Sequence, residues 1–174
     1  FSAAATRISV ERSLRRLGVA TLDAVLIHSD GDDLAILERE TVLPTLFDLK
    51  QAGLIRAVGM STKTVDGGLR AVECCDLVMI TYNWYQREKL PVIRAAQATN
   101  KGVLIKKGLL SGHLDRIAEP DPIVASLSSI YAEPGISSVV VGTLNPTHLR
   151  ANAAAVERAL AEQAKPARLT VGSA

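Results

Sequence analysis

Apolar and polar positions alternate along the chain in two different periods. Val10, Leu14 and Leu17 lie at i, i+4 and i+7, which predicts a helix with one apolar stripe that ends at Gly18. The following run, residues 22–28, has the length of a strand and is almost continuously apolar, which is typical of a strand buried on both faces. A turn-forming cluster and a helical pattern over residues 34–52 come next. The first unit of the chain is therefore a strand followed by a helix.

The same unit recurs four more times. We predict strands over 55–60, 77–82, 103–105 and 138–141, helices over 65–72, 91–99, 123–130 and 149–160, and an irregular loop over 108–122. About five repeats of this kind indicate an α/β fold of parallel βα units joined by right-handed crossovers. We assign residues 1–164 to this domain and 165–174 to a tail.

A doubly wound sheet and a (β/α) barrel share this local pattern, so the periodicity leaves both folds open. Both folds place their functional site at the carboxyl ends of the strands. The residues that follow the predicted strands are therefore the first candidates for chemistry.

Composition excludes several classes of function. Hydrophobic residues make up 48% of the 174 residues and the net charge is +2, so the chain has enough apolar residues for a core but no strong field for nucleic acid. No window of eighteen apolar residues predicts a membrane span.

Cys74 and Cys75 are adjacent, which excludes a disulfide framework, and we expect a cytoplasmic protein. His113 has no spaced partner ligands, so we expect no metal site.

Three strand ends carry candidate residues. His28 ends the first strand and is able to donate a hydrogen bond to a substrate carbonyl, although the same position suits a histidine bonded only to its own turn. Lys106 and Lys107 follow another strand, either as partners of an anion or as a solvated pair. No glycine-rich dinucleotide motif follows a strand and no Walker motif is present, which argues against a Rossmann site.

The loop before the last helix is a candidate phosphate site. Asn145 is a favourable N-cap and Pro146 suits the first helical position, which leaves backbone N–H groups and the Thr143 hydroxyl to bind an anion. The alternative is a helix cap that binds nothing. Barrel enzymes commonly bind phosphate in the loops after their last two strands, and this location favours the first interpretation.

Four stretches, residues 9–18, 23–28, 53–61 and 141–152, resemble the aldo-keto reductase superfamily in order and spacing. The resemblance implies a (β/α)8 TIM barrel that binds NADP(H) and reduces aldehydes or ketones. A complete barrel of this type needs about 250 residues. Aligned with the family, the chain begins at the helix before the fourth strand, so we expect a partial barrel in which the first three strands are missing.

The resemblance also assigns roles to individual residues. Of the family's catalytic Asp, Tyr, Lys and His, only the histidine has a counterpart, and that counterpart is His28. The cofactor positions match Ser61 and Thr62 at the nicotinamide amide, Lys106 at the place of a stacking aromatic, Lys107 on the phosphate side, Gly142, Thr143 and Asn145 in the phosphate loop, and Asn152 near the adenine.

The chain departs from the family at two further cofactor positions. Met79 replaces a glutamine that binds the nicotinamide amide, and a thioether lacks the donor and acceptor of that side chain. His148 replaces an arginine that some members use for the 2′-phosphate, which leaves NAD as an alternative to NADP(H).

The resemblance predicts that the parent protein is an NADP(H)-dependent reductase of small carbonyl compounds. The present chain lacks the tyrosine acid, so we expect no appreciable turnover from it. The alternative is a non-catalytic interaction module, a truncated barrel that associates with itself through the open edges of strands 23–28 and 138–141.

Overall fold

Five parallel strands form one sheet in the computed structural model, which describes residues 2–38 and 41–163. Each strand lies beside the strand that precedes it in the chain, so the order is β1-β2-β3-β4-β5. The strands are β1 Leu22–His28, β2 Ile55–Ser61, β3 Leu77–Thr81, β4 Gly102–Lys106 and β5 Ser138–Val139. A doubly wound sheet reverses its strand order at a switch point, and this sheet does not. The sequential order therefore identifies a part of a (β/α) barrel, as predicted.

Seven α-helices connect and follow these strands within the described residues. They are α1 Ala3–Leu17, α2 Asp33–Glu38, α3 Val42–Gln51, α4 Val65–Cys74, α5 Leu90–Ala98, α6 Pro122–Tyr131 and α7 Pro146–Gln163. The helical pattern predicted over 34–52 is divided into α2 and the main helix, α3. Pro44 lies in the first turn of α3, where its missing N–H has no helical partner to lose, whereas the interior of one long helix would not tolerate it.

The helices cover one face of the sheet. Side chains that point towards the helices are fully buried in the three central strands: Val58, Met60, Val78, Ile80, Val103 and Ile105. The other face corresponds to the interior of the barrel, and it carries both apolar and polar side chains, among them Leu104, Ser61 and Lys106. Gly59 lies on this inner face, where a Cβ would stand 2.6 Å from the carbonyl oxygen of Leu77 on β3.

The prediction that β1 is buried on both faces is wrong. Ala24 and His28, which lie on its inner face, are exposed, whereas Ile27 on the helix side is buried. β1 pairs only with β2, and no described element covers its inner face. The apolar residues of β1 are therefore distributed between the helix layer and an open interior.

The last strand is shorter than the predicted 138–141. Val140 still donates its N–H to the carbonyl oxygen of Ile105, at 2.8 Å, but the ladder does not continue. The reason lies in β4, which ends at Lys106 because Lys107 adopts a left-handed conformation with φ of 58°. The predicted irregular loop over 108–122 contains two short 3₁₀ turns, Leu110–Gly112 and Leu114–Arg116. The predicted tail over 165–174 lies outside the described residues.

Candidate active site at the carboxyl ends of the strands

Three predicted residues lie on the inner face of the sheet at the carboxyl ends of their strands. His28 on β1 is the register partner of Ser61 on β2, so the two residues are direct neighbours. Lys106 at the end of β4 extends across β3 and donates from Nζ to Ser61 Oγ at 2.8 Å. The same ammonium donates to the carbonyl oxygen of Thr62 at 3.2 Å. The Lys106 ammonium therefore lies beside the Ser61 hydroxyl at the carboxyl ends of the strands.

The ammonium of Lys106 is not paired with a carboxylate in the part of the chain that the structure describes. No ion pair of Lys106 is found among residues 2–38 and 41–163. Burial lowers the pKa of Lys106 below that of an ordinary lysine, the nearby charge of Lys107 lowers it further, and Asp33 opposes the shift. Its hydrogen bonds to two oxygens favour the protonated form. The group is a partly desolvated positive charge that a ligand is able to contact.

Lys107 points to a different place from Lys106 because the chain turns sharply between them. The left-handed conformation of Lys107 ends the strand, and the side chain is exposed. Its carbonyl oxygen accepts hydrogen bonds from the Leu110 N–H at 3.0 Å and from Nδ2 of the buried Asn83 at 3.2 Å. A non-glycine residue in this conformation is uncommon, and these two bonds hold it there. Asn83 therefore fixes the turn that separates the two lysines.

A cleft of about 650 Å³ opens beside this turn, between the loop after β4 and the start of α7. It brings together most of the residues predicted for the phosphate and adenine part of a cofactor: Lys107, Gly142, Thr143, His148 and Asn152. Its other walls include Ile123 in α6, and Leu109 and Leu114 in the loop before it; the sequence did not single out the two leucines, because apolar residues in an irregular loop carry no periodic signal. The cleft thus combines an apolar wall with a cation and several donors.

The entrance to α7 has the predicted cap. Asn145 accepts a hydrogen bond from the Thr147 N–H through its side chain, at 2.9 Å, and its own N–H donates to the Thr143 hydroxyl at 3.2 Å. Asn145 itself does not line the cleft, whereas Thr143 does. His148 lies in the first turn of the helix, and the buried Asn152 lies one turn later on the same side of the helix.

The site residues do not form one continuous cluster. His28 is exposed and lines a separate cavity of about 190 Å³ with residues of α1 and α3. The hydroxyl of Thr62 is buried, has no hydrogen-bond partner among the described residues, and lies near Gly68 on α4. It is the carbonyl oxygen of Thr62 that contacts Lys106. Of the two residues predicted to bind the nicotinamide amide, only Ser61 therefore presents its hydroxyl to the interior.

Two buried charged residues hold the turn that follows Ser61, and neither was predicted. Asp33 accepts hydrogen bonds from the Lys63 N–H and from the N–H and hydroxyl of Thr64. Lys89, which is 4% exposed, donates from Nζ to the Lys63 carbonyl oxygen at 2.6 Å. Gly67 permits the approach of Asp33, because a Cβ there would lie 2.2 Å from Asp33 Cβ. The only sequence signal for this cluster was the acidic turn after β1.

None of the three tyrosines of the chain resembles a proton donor to a substrate. The Tyr82 side chain is fully buried, and its hydroxyl donates to Glu133 and accepts from Arg87 Nη1 at 3.0 Å. Burial raises the pKa of Tyr82, although Arg87 opposes this effect. The Tyr85 hydroxyl donates to the main-chain oxygen of Arg116. Tyr131 lies in the last turn of α6 and packs against the buried cluster of Leu127, Ala155 and Ala159.

The profile of the aldo/keto reductase family matches residues 1–126, which is more than half of the chain. The chain belongs to this family. No curated protein matches it.

Solved structures from the family share the fold. Two structures from Pseudomonas aeruginosa, both named as aldo-keto reductases, are 49% and 51% identical to this chain over 92% of its length, with TM-scores of 0.84. An aldo-keto reductase from Bacillus halodurans, solved in its holo form, is 21% identical over 94% of this chain, with a TM-score of 0.76. At that identity the likeness shows the fold alone.

The chain spans 61% and 60% of the length of the two Pseudomonas proteins, and 68% of the Bacillus protein. Within the described ranges, 2–38 and 41–163, no helix is long and apolar enough to cross a membrane.

Proposed function

We propose that this chain forms the cofactor-binding part of an NADP(H)-dependent reductase of aldehydes and ketones. The observation that carries the proposal is the cleft beside the β4 turn, which is lined by Lys107, Thr143 and His148 and lies next to the Lys106–Ser61 pair. Lys106 and Lys107 are consecutive, so the Lys106–Ser61 pair and the cleft at Lys107 lie on either side of one turn of the chain. An extended dinucleotide is long enough to contact two regions that are arranged in this way.

The chemistry of the two regions matches the two ends of such a cofactor. Phosphate groups prefer exposed cationic and N–H donors, which Lys107 and the Thr143 loop offer. The amide end is neutral and polar, and the Ser61 hydroxyl with the Lys106 ammonium offers it donors in a half-buried place. Met79 does not fit this role, because its thioether has no hydrogen-bond donor and is only a weak acceptor for an amide.

The residues of this chain then have distinct tasks. The cofactor, when bound, supplies the hydride. Ser61 orients the amide, Lys107 and Thr143 hold the phosphates, and the Asn83 hydrogen bond fixes the turn between the two regions. His28, the register neighbour of Ser61, orients the carbonyl oxygen of the substrate. NAD remains the competing cofactor, since His148 stands where an arginine would select the 2′-phosphate.

Titration of the 174-residue chain with NADPH, followed by nucleotide fluorescence, tests the proposal. We expect saturable binding that the Lys107→Met variant weakens about tenfold or more, because a charge-assisted contact of this kind contributes roughly 1.5–3 kcal/mol. Lys101→Met is the matched control, since Lys101 precedes the opposite end of β4. Equal affinity in the two variants, or no saturable binding by the folded chain, would contradict the proposal.

A second candidate function is association of the chain with itself. Within the described residues, β1 and β5 each pair on one side only, and Val140 beyond β5 is half exposed. Unpaired edges favour pairing with another chain. Sedimentation of the chain at micromolar concentration separates the two candidates: a dimer that neither binds NADPH nor dissociates on dilution favours this second function.

A further inference from the structure

The position of Lys106 bears on which redox form of the cofactor this site prefers. The oxidised nicotinamide ring carries a positive charge, and the reduced ring is neutral. Lys106 Nζ is 2.8 Å from Ser61 Oγ, the group that we propose to hold the amide attached to that ring. An ammonium bonded to the same serine is therefore a near neighbour of the ring.

The charge of Lys106 is not cancelled by its surroundings. Lys106 has no ion pair among the described residues, and the acidic residue whose charge acts on its pKa is Asp33. The carboxylate of Asp33 is already occupied by the two N–H groups and the hydroxyl of the turn after β2. Lys63, Lys89 and Lys107 add further positive charge around Lys106. The region of the proposed nicotinamide site is thus positive.

We infer that Lys106 makes this site select the reduced dinucleotide, so that NADPH binds more tightly than NADP⁺. The inference rests on the proposed function. Two like charges a few ångströms apart in a partly desolvated site change a binding constant by about tenfold or more. The phosphates and adenosine are the same in both forms, so this repulsion appears only in the comparison of the two affinities.

The neighbouring lysine provides an internal control. Lys107 lines the cleft, where we propose that the phosphates bind, and the phosphates do not change between the two forms. Removal of the Lys107 charge weakens the binding of NADPH and of NADP⁺ by the same factor. Removal of the Lys106 charge, by contrast, strengthens the binding of NADP⁺ relative to that of NADPH. Two adjacent residues of the same type are therefore expected to have different effects on the same pair of measurements.

The experiment measures the dissociation constants of NADPH and NADP⁺ by calorimetry for the 174-residue chain and three variants. We expect the ratio of the NADP⁺ constant to the NADPH constant to be about ten or more in the unmodified chain and in Lys106→Arg. We expect it to fall by about tenfold in Lys106→Met. In Lys107→Met both constants rise and the ratio is unchanged. Circular dichroism before titration confirms that each variant is folded.

The outcomes separate this inference from the proposed function. Binding of both forms with a ratio near one, or a ratio that Lys106→Met leaves unchanged, overturns the inference while NADPH binding still supports the proposed function. A ratio that changes in Lys107→Met as much as in Lys106→Met also overturns it, since the effect would then be a general loss of positive charge. If the folded chain binds neither form, both the inference and the proposed function are wrong.

Discussion

Lys106 at the end of β4 donates a hydrogen bond to Ser61 at the end of β2, at 2.8 Å, across the intervening strand. This contact links two strand ends that are not neighbours in the sheet. It depends on the sharp turn at Lys107, which Asn83 holds through the Lys107 carbonyl oxygen. One short segment, Lys106–Lys107, therefore contributes one side chain to the inner face of the sheet and one residue to the cleft beside it.

Replacement of Asn83 by alanine should destabilise the fold and weaken cofactor binding together. The Asn83 side chain is buried, and it bonds Gln86 and Lys107 through Nδ2 and accepts two backbone N–H groups through Oδ1. Loss of a buried side chain that makes four hydrogen bonds costs about 1–3 kcal/mol, because the Lys107 carbonyl oxygen and the two N–H groups lose their partner. Denaturant unfolding measures this loss. Gln86→Ala, which removes one of these bonds from an exposed partner, should cost less, and equal losses would contradict our account of Asn83.

Asp33 should make stability depend on pH in the acid range. Burial alone would raise the pKa of Asp33, but hydrogen bonds from Ser29, Thr64 and Lys63 outweigh it, and the pKa is lowered in the folded state. The stabilisation is therefore present above the unfolded pKa of about 3.9 and is lost as the pH falls through the lower folded value.

Asp33→Asn should reduce the free energy of unfolding at neutral pH and flatten its fall below about pH 4. Urea unfolding at several pH values measures both effects. Asp66→Asn is the control, because Asp66 is exposed in the first turn of α4 and should alter neither property appreciably. A steep acid transition that persists in Asp33→Asn would contradict the role of Asp33.

Cys74 should be alkylated faster than Cys75 in the folded chain. A hydrogen bond from Cys75 lowers the pKa of Cys74 to about 7, with help from Arg70, whereas the buried Cys75 has its pKa raised by the same contact and by burial. At pH 7.5, iodoacetamide should therefore label Cys74 about tenfold faster, as peptide mass spectrometry measures. Cys75→Ala should slow the labelling of Cys74, and equal labelling of both thiols would show that this pair is not coupled as described.

The 174-residue chain should not oxidise NADPH in the presence of an aromatic aldehyde. The Tyr82 hydroxyl is bonded to Glu133 and Arg87 inside the protein, and Tyr85 is bonded to a main-chain oxygen, so neither hydroxyl is placed to protonate a carbonyl. A general acid contributes about 10²–10⁴-fold to such a rate. The loss of NADPH absorbance should match the protein-free blank. Aldehyde-dependent turnover that the Tyr82→Phe and Tyr85→Phe variants retain would reveal an acid outside these residues.

The sequence predicted the elements better than their boundaries. The five strands follow from apolar runs separated by helical patterns, and all five are present in one parallel sheet. The length of β5 was not predicted, because it depends on the left-handed turn at Lys107, which periodicity does not detect. The helical pattern over 34–52 was predicted, and Pro44 in the first turn of α3 marks the start of its main segment.

The sequence did not predict how the candidate site residues are divided in space. The resemblance to the family supplied the residues, and the structure separates them into the Lys106–Ser61 pair, the cleft at Lys107, and His28 at the open edge. The supporting cluster of Asp33 and Lys89 was missed, because burial of charged side chains depends on tertiary contacts between distant turns. A turn rich in acidic residues usually indicates a solvated loop.

The central claim is that one dinucleotide extends from the cleft to Ser61, and hydrogen–deuterium exchange with and without saturating NADPH tests it most directly. We predict new protection in three segments, residues 61–64, 107–114 and 142–152, while the backbone of α1 on the far side of β1 is unchanged. Protection confined to 142–152 would mean that the ligand does not reach the Lys106–Ser61 pair. Protection in none of the three segments, in a chain shown to be folded, would contradict the assignment of the cleft itself.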